Sequence, residues 1–335
     1  MKLKPVDEQV VVLMGASSGI GREAAIAFAD RGARVVVAAR GGRALDSLGG
    51  EIRARGGETT AVVADASDPE QMEIVAGRAV EEYGGLDTWV HLASVSIFSP
   101  FEKITPEEFR RVVEVDLLGQ AYGAMAALPH IKRRGRGALV HVTSVLGARS
   151  VPLQSPYCAS KHGVVGMLES LRVELRREGW PIGVTNVMPA SVNTPFFDKA
   201  RTKLGRRPMS LPPVYPPRAV AGALLYAAER APRDIVVGGA GKAMLLNQRL
   251  SPRLMDAIMG PMGYRWQQME EPKPEDAPDY LYEPLEEDER IEGSLGRWSV
   301  SSSLSTWLDT HPAAKVGLVA ATALGVAAAL RVKAD

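Results

Sequence analysis

The sequence predicts an α/β protein built on a doubly wound parallel sheet with helices on both faces, followed by a C-terminal extension. Short β-rich runs alternate with longer helical patterns over the first 190 residues, as expected of strands joined by crossover helices. The strand-like runs are almost continuously apolar, which is typical of strands covered on both faces. A glycine-rich turn, Gly15–Gly21, follows the first run and opens a helical pattern.

Seven segments are expected to form the strands of this sheet. In chain order they are Val10–Met14, Arg34–Ala38, Thr59–Ala64, Thr88–Leu92, Ala138–Thr143, Gly183–Met188 and Asp234–Val237. The last strand follows a helical stretch, Pro217–Arg230. The helix that carries Asp116 should begin at Thr105-Pro106-Glu107-Glu108, which combines an N-cap, a proline at the first helical position and a capping-box glutamate.

Composition narrows the class of protein. At 335 residues the chain is long enough for one large α/β domain with an appendage. Forty basic and 39 acidic residues leave a net charge of +1, which argues against nucleic-acid binding. The single cysteine, Cys158, cannot form an intrachain disulfide, and Met1–Glu8 is too polar for a secretory signal, so we expect a cytoplasmic protein. No metal-ligand spacing links the histidines, and no metal is expected.

The pattern changes after residue 242. Residues 243–266 are rich in Met and Leu and should be helical, whereas residues 267–310 are acidic, Pro-rich and Ser-rich, which predicts a poorly ordered linker. Residues 311–335 contain an apolar run, Val316–Leu330, that is shorter than a typical membrane-spanning helix. Two interpretations of this run stay open: a helix packed on protein, or a tail that touches a membrane.

A phenol and an ammonium group four residues apart predict acid–base chemistry. Tyr157 and Lys161 share one helical face, so the cation should lower the pKa of the phenol and allow proton exchange with a carbonyl oxygen. Ser144 ends the fifth predicted strand, where its hydroxyl can orient a substrate carbonyl. Each feature alone has an ordinary structural explanation, and their order and spacing together carry the prediction.

The glycine turn and the end of the second strand predict a dinucleotide cofactor. Bare backbone at Gly15, Gly19 and Gly21 suits the approach of a pyrophosphate, although a tight turn without a ligand is the alternative. Arg40 stands where an NAD-selective fold would offer a carboxylate, so it is expected to bind the 2′-phosphate of NADP, with Arg22 or Ser17 as helpers. The alternative is a solvated surface arginine.

With these motifs the chain resembles the short-chain dehydrogenase/reductase family over roughly residues 8–240. The resemblance implies a Rossmann-type domain over residues 1–242, hydride transfer at the nicotinamide, and an assembly of dimers or tetramers. It also implies a catalytic set of Ser144, Tyr157 and Lys161, with Asp116 at the fourth catalytic position. The cofactor contacts that it implies are Gly15, Ser17, Ser18, Gly19, Ile20, Gly21, Arg40, Asp65, Ala66, Ala93, Tyr157, Lys161, Pro189, Val192 and Thr194. Asp65 would hold the adenine amino group, or simply cap its turn.

Three positions depart from the family pattern. The usual Asn-Asn-Ala-Gly after the fourth strand is His91-Leu92-Ala93-Ser94, the usual Pro-Gly is Pro189-Ala190, and the catalytic asparagine is Asp116. The backbone carbonyl of an aspartate can hold the relay water as that of an asparagine does. A carboxylate near Lys161 is nevertheless expected to compete for the cation and to raise the pKa of Tyr157.

These observations predict an NADP(H)-dependent oxidoreductase that interconverts an alcohol and a carbonyl on an apolar small molecule. Residues 196–217 should form a substrate lid, and five apolar residues are candidates for the pocket wall or for core: Val95, Ile97, Phe98, Phe196 and Phe197. One alternative is a cofactor-binding sensor or scaffold with little catalysis. Another is a membrane-associated reductase of lipid-like substrates.

Overall fold

Strands and helices alternate along the structure, a computed structural model that describes residues 1–285, 289–300, 303–311 and 314. The strands are β1 (Val10–Met14), β2 (Arg34–Ala39), β3 (Glu58–Val63), β4 (Thr88–His91), β5 (Ile97–Phe98), β6 (Gly137–Val142), β7 (Ile182–Pro189), β8 (Arg201–Thr202), β9 (Arg206–Pro208), β10 (Asp234–Val237) and β11 (Gln268–Pro272). The helices are α1 (Gly19–Asp30), α2 (Gly42–Ala54), α3 (Pro69–Tyr83), α4 (Pro106–Val113), α5 (Gly119–Arg134), α6 (Ser155–Arg177), α7 (Phe196–Lys199), α8 (Pro217–Arg230), α9 (Gly239–Leu250), α10 (Pro252–Arg265) and α11 (Leu304–Thr310).

Seven strands form one parallel sheet in the order β10-β7-β6-β4-β1-β2-β3. They are the seven segments that the sequence predicts, with ends that differ by at most one residue, and the predicted fold class is confirmed. The chain runs outward from β1 to β3 and then returns to β4 on the other side of β1. This reversal creates a crevice at the carboxyl ends of β1 and β4, where open α/β sheets bind their ligands.

Apolar side chains cover both faces of the sheet because its strands are apolar at successive positions. Val11 and Leu13 of β1 pack with α1, α2 and α8 on one face. Val10, Val12 and Met14 pack with α3, α5 and α6 on the other. Two hydrophobic layers therefore hold the strand ends in fixed positions.

The helix that precedes Asp116 begins where the sequence predicts. The Thr105 hydroxyl accepts a hydrogen bond from the Glu108 amide at 3.3 Å, and the Glu108 carboxylate accepts one from the Thr105 amide at 2.9 Å. After α4 the backbone forms a π-helical turn, Glu114–Leu118, before α5 begins. Such turns are frequent at functional sites, and this one carries Asp116.

The acidic and Ser-rich stretch differs from the poorly ordered linker that the sequence predicts. In its described residues, β11 pairs antiparallel with β9 of the lid, and the Leu281 and Leu295 side chains are buried. Several of its acidic side chains form ion pairs with lid arginines, for example Glu271 with Arg207 at 2.7 Å. Burial of scattered apolar residues and pairing of charges stabilise this segment, and neither produces a local periodicity.

The end of the described chain packs on the sheet domain through α11. The Thr306 hydroxyl accepts a hydrogen bond from the Gly238 amide at 2.9 Å, beside the end of β10. The apolar run Val316–Leu330 lies outside the described residues, so its two interpretations stay predictions. In the part of the chain that the structure describes, no helix is long and apolar enough to cross a membrane.

Replacing Leu295 by Ala tests the packing of this stretch. Leu295 is 0% exposed and lies against Met209 and Val214, so we expect the free energy of unfolding to fall by about 2–5 kcal/mol. Urea denaturation measures the loss. The matched control is Leu250→Ala, because Leu250 is 74% exposed and its truncation should change stability little. Equal stability of both variants would contradict a packed extension.

Candidate active site

Two adjoining cavities lie in the crevice at the carboxyl ends of the central strands. The glycine-turn cleft is lined by eleven of the predicted cofactor contacts: Gly15, Ser17, Ser18, Gly19, Ile20, Gly21, Arg40, Asp65, Ala66, Ala93 and Thr194. The second, called the Tyr157 cavity below, has a volume of about 300 Å³ and is lined by the other predicted site residues except Asp116: Ser144, Tyr157, Lys161, Pro189 and Val192. The fold therefore brings the predicted catalytic and cofactor residues together.

The glycine turn leaves no room for a Cβ atom at Gly15 or Gly21. A Cβ atom on Gly15, whose φ is +96°, would lie 2.5 Å from the Ala93 nitrogen. A Cβ on Gly21 would lie 2.0 Å from the Gly15 carbonyl oxygen. The turn thus brings bare backbone and the N-terminus of α1 to the cleft, which fits the approach of a pyrophosphate. The Arg22 side chain is held elsewhere, 2.8 Å from Glu51, and does not line the cleft.

Arg40 reaches the same cleft from the end of β2. Its guanidinium donates hydrogen bonds of 2.6 Å to the carbonyl oxygens of Tyr280 and Tyr282 in the C-terminal extension. Among the described residues no carboxylate forms an ion pair with Arg40. Burial lowers the pKa of Arg40 from its usual value, and the negative charge of Asp65 opposes that change. A half-buried cation beside a glycine turn fits an anionic group on a dinucleotide.

Asp65 is engaged within its own turn and by a neighbouring arginine. One carboxylate oxygen accepts hydrogen bonds from the Ser67 amide and hydroxyl at 2.9 and 2.8 Å. The other accepts one from Arg111 at 2.7 Å. Asp65 therefore caps its turn, as one of the two sequence interpretations states, while it also lines the glycine-turn cleft.

The three predicted catalytic side chains meet at the start of α6. Tyr157 and Lys161 lie on one face, with the Lys161 ammonium 5.2 Å from the centre of the Tyr157 ring. Ser144 caps the turn after β6, where its hydroxyl accepts a hydrogen bond from the Leu146 amide at 3.1 Å. All three side chains are buried, and the Ser144 hydroxyl lies close enough to the Tyr157 hydroxyl to lower its pKa.

Asp116 binds Ser94, which replaces the glycine of the family's Asn-Asn-Ala-Gly loop. One carboxylate oxygen accepts a hydrogen bond from the Ser94 hydroxyl at 2.5 Å, and the other accepts one from the Val95 amide at 2.7 Å. The Lys161 ammonium lies 3.5 Å from the same carboxylate. Two departures from the family pattern, Ser94 and Asp116, are thus partners in one buried network.

His91, the first residue of the same departing loop, lies in the core below this network. Its ring stacks on that of His141 at 6.1 Å, and its Nδ1 accepts a hydrogen bond from Trp89 at 3.4 Å. Burial holds the pKa of His91 well below its usual value. His91 is therefore neutral and packs beneath the site without lining either cavity.

The environment of Tyr157 favours its protonated form. Burial, with a further contribution from the Asp116 charge, raises the pKa of Tyr157 well above its usual value. Burial also lowers the pKa of Lys161, while Asp116 opposes that change. The spacing of Tyr157 and Lys161 predicts a lowered tyrosine pKa, and this is not found. The Lys161 ammonium lies over the face of the Tyr157 ring and closer to the Asp116 carboxylate. The raised pKa of Tyr157 agrees with the effect expected of Asp116. The Tyr157 side chain is therefore held as a neutral phenol.

The C-terminal extension contributes part of the apolar wall of the Tyr157 cavity. Sequence reasoning missed this contribution, which consists of Met244 of α9, Met255 and Met259 of α10, and Trp266. Of the predicted wall residues, Phe196 and Phe197 line the cavity, and Phe196 lies edge-on to Tyr157 with ring centres 5.8 Å apart. The other three, Val95, Ile97 and Phe98, are buried core.

One polar pair interrupts that apolar wall. The Gln154 amide nitrogen donates to the Gln267 side-chain oxygen at 2.6 Å, and both residues line the cavity. Gln154 is the N-cap residue of α6 and precedes Tyr157 by three residues. The richness of residues 243–266 in methionine was the available signal for this wall, but the sequence did not connect it to the site.

Comparisons with known proteins agree with this geometry. The family model described as short chain dehydrogenase matches residues 9–205. An uncharacterized oxidoreductase of Bacillus subtilis, YxnA, is 39% identical over 274 residues, which make up 81% of this chain and 77% of that protein. A short-chain type dehydrogenase/reductase from Mycobacterium marinum is 28% identical with a TM-score of 0.63, covering 71% of this chain and 96% of that one. An actinorhodin polyketide ketoreductase variant solved with NADPH is 34% identical with a TM-score of 0.54, covering 58% and 74%.

The chain therefore belongs to the short-chain dehydrogenase/reductase family, whose members are oxidoreductases that use a nicotinamide cofactor. The resemblance inferred from the motifs is confirmed. The match ends at residue 205, so the helices that build the methionine wall and the segment that contacts Arg40 lie beyond it.

Proposed function

We propose that this protein is an NADP(H)-dependent oxidoreductase that interconverts an alcohol and a carbonyl on a bulky apolar substrate. The observation that carries the proposal is the position of Tyr157 and Ser144 in the wall of an apolar cavity of about 300 Å³ that adjoins the glycine-turn cleft. A substrate in the cavity and a dinucleotide in the cleft would then meet beside the Tyr157 hydroxyl.

Each polar residue of the site has a role in this reaction. The bound nicotinamide supplies or accepts the hydride. In the reducing direction Tyr157 donates its proton to the substrate oxygen, and the Ser144 hydroxyl orients that oxygen. Lys161 stabilises the phenolate that remains, and Asp116 holds the Lys161 ammonium in place through their 3.5 Å contact. The raised pKa of Tyr157 keeps the phenol protonated before the reaction, and the charge of Lys161 offsets part of the cost of forming the phenolate.

The cofactor preference rests on Arg40. Its guanidinium at the end of β2 suits the 2′-phosphate of NADP, since charge-assisted hydrogen bonds to a phosphate are strong. A carboxylate there would instead select NAD. The NADPH complex of the similar polyketide ketoreductase supports the same choice.

The substrate class follows from the cavity wall. Methionines are flexible and polarizable, so Met244, Met255 and Met259 can fit apolar surfaces of varied shape. The Gln154–Gln267 pair supplies polar atoms at the N-terminus of α6. These atoms can bind a second oxygen on an otherwise apolar ring system. Small aldehydes would leave most of this wall without contacts.

The decisive experiment follows NADPH and NADH absorbance against a carbonyl panel that runs from acetaldehyde through cyclic and bicyclic ketones to steroids, quinones and long-chain ketones. We expect turnover with NADPH to exceed turnover with NADH by about tenfold or more, because one charged contact is worth at least that factor. We also expect bicyclic ketones to be reduced faster than acetaldehyde. Preference for NADH, or for the smallest aldehyde, would contradict the proposed cofactor or substrate class.

A cofactor-binding sensor or scaffold is the second candidate. The observation that favours it is the carboxylate of Asp116 beside Lys161, which draws the cation away from the phenol. NADPH binding without turnover on any member of the panel would support it. We place the protein in the cytoplasm as a homo-oligomer, and fractionation of the full chain against one stopped near Pro312 tests membrane contact.

A further inference from the structure

The C-terminal extension crosses the glycine-turn cleft. Two of its segments, residues 279–285 and 289–295, lie along the cleft and are here called the clasp. Tyr280, Pro284 and Leu285 of the clasp line the cleft together with the glycine turn. The family match ends at residue 205, so this wall of the cleft belongs to the extension.

Two arginines hold three consecutive backbone carbonyls of the clasp. Arg40 donates to the carbonyl oxygens of Tyr280 and Tyr282, each at 2.6 Å. Arg111 donates to the carbonyl oxygen of Leu281 at 3.0 Å. Guanidinium groups on both sides of one short segment fix its path across the end of the sheet.

Side chains of the first segment also hold it against the lid, residues 196–217. The Tyr280 ring is buried against Phe196, with ring centres 5.9 Å apart. Arg201 of the lid forms an ion pair with Asp279 at 2.8 Å and lies 5.1 Å from the centre of the Tyr282 ring. The segment is therefore held by the lid that also borders the Tyr157 cavity.

The second segment passes over the glycine turn itself. The Arg290 carbonyl oxygen accepts a hydrogen bond from the Gly19 amide at 2.9 Å. Gly293 donates its amide to the Asn193 carbonyl oxygen at 3.3 Å, and a Cβ on Gly293 would lie only 2.2 Å from the Thr194 carbonyl oxygen. The contact is so close that only a glycine fits.

We propose that the clasp positions Arg40 and closes over the dinucleotide, so that cofactor affinity and the preference for NADP both depend on the extension. This inference rests on the proposed function. Arg40 has five N–H donors and uses two of them for the clasp carbonyls, which leaves three donors for a phosphate. A cation that is already fixed loses less freedom when it binds an anion.

The clasp leaves room for the pyrophosphate at the helix terminus. It takes the amide of Gly19, but Ile20 and Gly21 also lie in the first turn of α1, where amides have no partner inside the helix. The clasp and a pyrophosphate can therefore bind neighbouring amides of one turn. This arrangement allows the clasp to close on the cofactor without being displaced by it.

Gly293→Ala is the sharpest test, because the added methyl must push the second segment away from the Thr194 backbone. We expect the dissociation constants for NADPH and NADH both to rise by about tenfold or more, because the displaced segment covers the glycine turn that either cofactor would contact. Fluorescence titration measures both constants without any turnover. The matched control is Gly260→Ala, where a Cβ meets nothing within 4 Å and neither constant should change.

A second variant tests the proposal independently if Gly293→Ala does not fold. Tyr282→Ala removes the ring that lies on Arg201 but keeps the carbonyl that accepts from Arg40, and Tyr264→Ala on the exposed face of α10 is its control. We expect Tyr282→Ala to weaken NADPH binding in the same direction. In the unmodified protein, amide hydrogen exchange over residues 279–285 should slow when NADP⁺ is added, and slow less with NAD⁺.

The outcomes separate the clasp from the proposed function. Unchanged or tighter NADPH binding in both variants, or faster exchange of residues 279–285 with NADP⁺, would overturn the clasp and indicate a plug that the cofactor expels. If the unmodified protein binds neither cofactor, the proposed function fails and the clasp fails with it. If NADPH binds and is turned over equally well in the variants, only the clasp fails.

Discussion

Tyr157→Phe is expected to lower the rate of hydride transfer by a factor of about 100 to 10,000, the usual contribution of a positioned acid. In the proposed reaction the Tyr157 hydroxyl donates the proton, and Ser144 and Lys161 lie near it in the wall of the cavity. Phenylalanine keeps the ring and its contact with Phe196 but removes the proton. Single-turnover kinetics with NADPH measure the loss, and fluorescence titration should show unchanged NADPH binding.

A tyrosine outside the crevice supplies the control. Tyr226 lies on α8, away from both cavities, and Tyr226→Phe should leave the rate unchanged. The pH profile gives a second readout. Burial and the Asp116 charge raise the pKa of Tyr157, so the reduction rate should stay level between about pH 6 and pH 9 and fall only above its ordinary range. Full activity of Tyr157→Phe would contradict its role as the proton donor.

Asp116→Leu is expected to lower the free energy of unfolding by about 3–5 kcal/mol, the usual cost of removing one partner of a buried ion pair. Asp116 and Lys161 are both fully buried, and their 3.5 Å contact compensates the charge of each. Leucine also leaves the Ser94 hydroxyl and the Val95 amide without their acceptor. Urea denaturation measures the change in stability.

Asp116→Asn is the matched control for that variant. Its side-chain oxygen can still accept from the Val95 amide, and its amide group can donate to the Ser94 hydroxyl. We therefore expect a smaller loss of stability than with leucine, although Lys161 again lacks a counter-charge. If leucine were tolerated as well as aspartate, the pair would not be charged in the folded protein, and the role given to Lys161 would be wrong.

The sheet could be predicted because its signals are local. The strands are four to eight residues long and most are apolar runs, and Thr105 and Glu108 mark the start of α4 within a single turn. The catalytic trio was equally accessible, since Tyr157 and Lys161 are four residues apart on one helix. Patterns that span a few residues constrain the backbone directly, and the structure follows them.

The partnership of Ser94 and Asp116 could not be predicted in the same way. The two residues are 22 positions apart, and the π-helical turn that aims Asp116 at the loop after β4 has no recognised sequence signal. Each of the two departures from the family pattern, considered alone, argues against the expected site. Considered together they compensate each other, because the Ser94 hydroxyl donates the hydrogen bond that the buried Asp116 carboxylate requires.

The contact between Arg40 and Tyr282 joins residues 242 positions apart, so it can form only late in the synthesis of the chain. Proteins emerge from the ribosome with their N-terminal parts first. The sheet from β1 to β10 can assemble while the extension is still being translated, and the glycine turn then faces solvent with one wall missing. We therefore expect nascent chains to acquire a folded sheet before they gain tight nucleotide affinity, which appears only as synthesis nears its end.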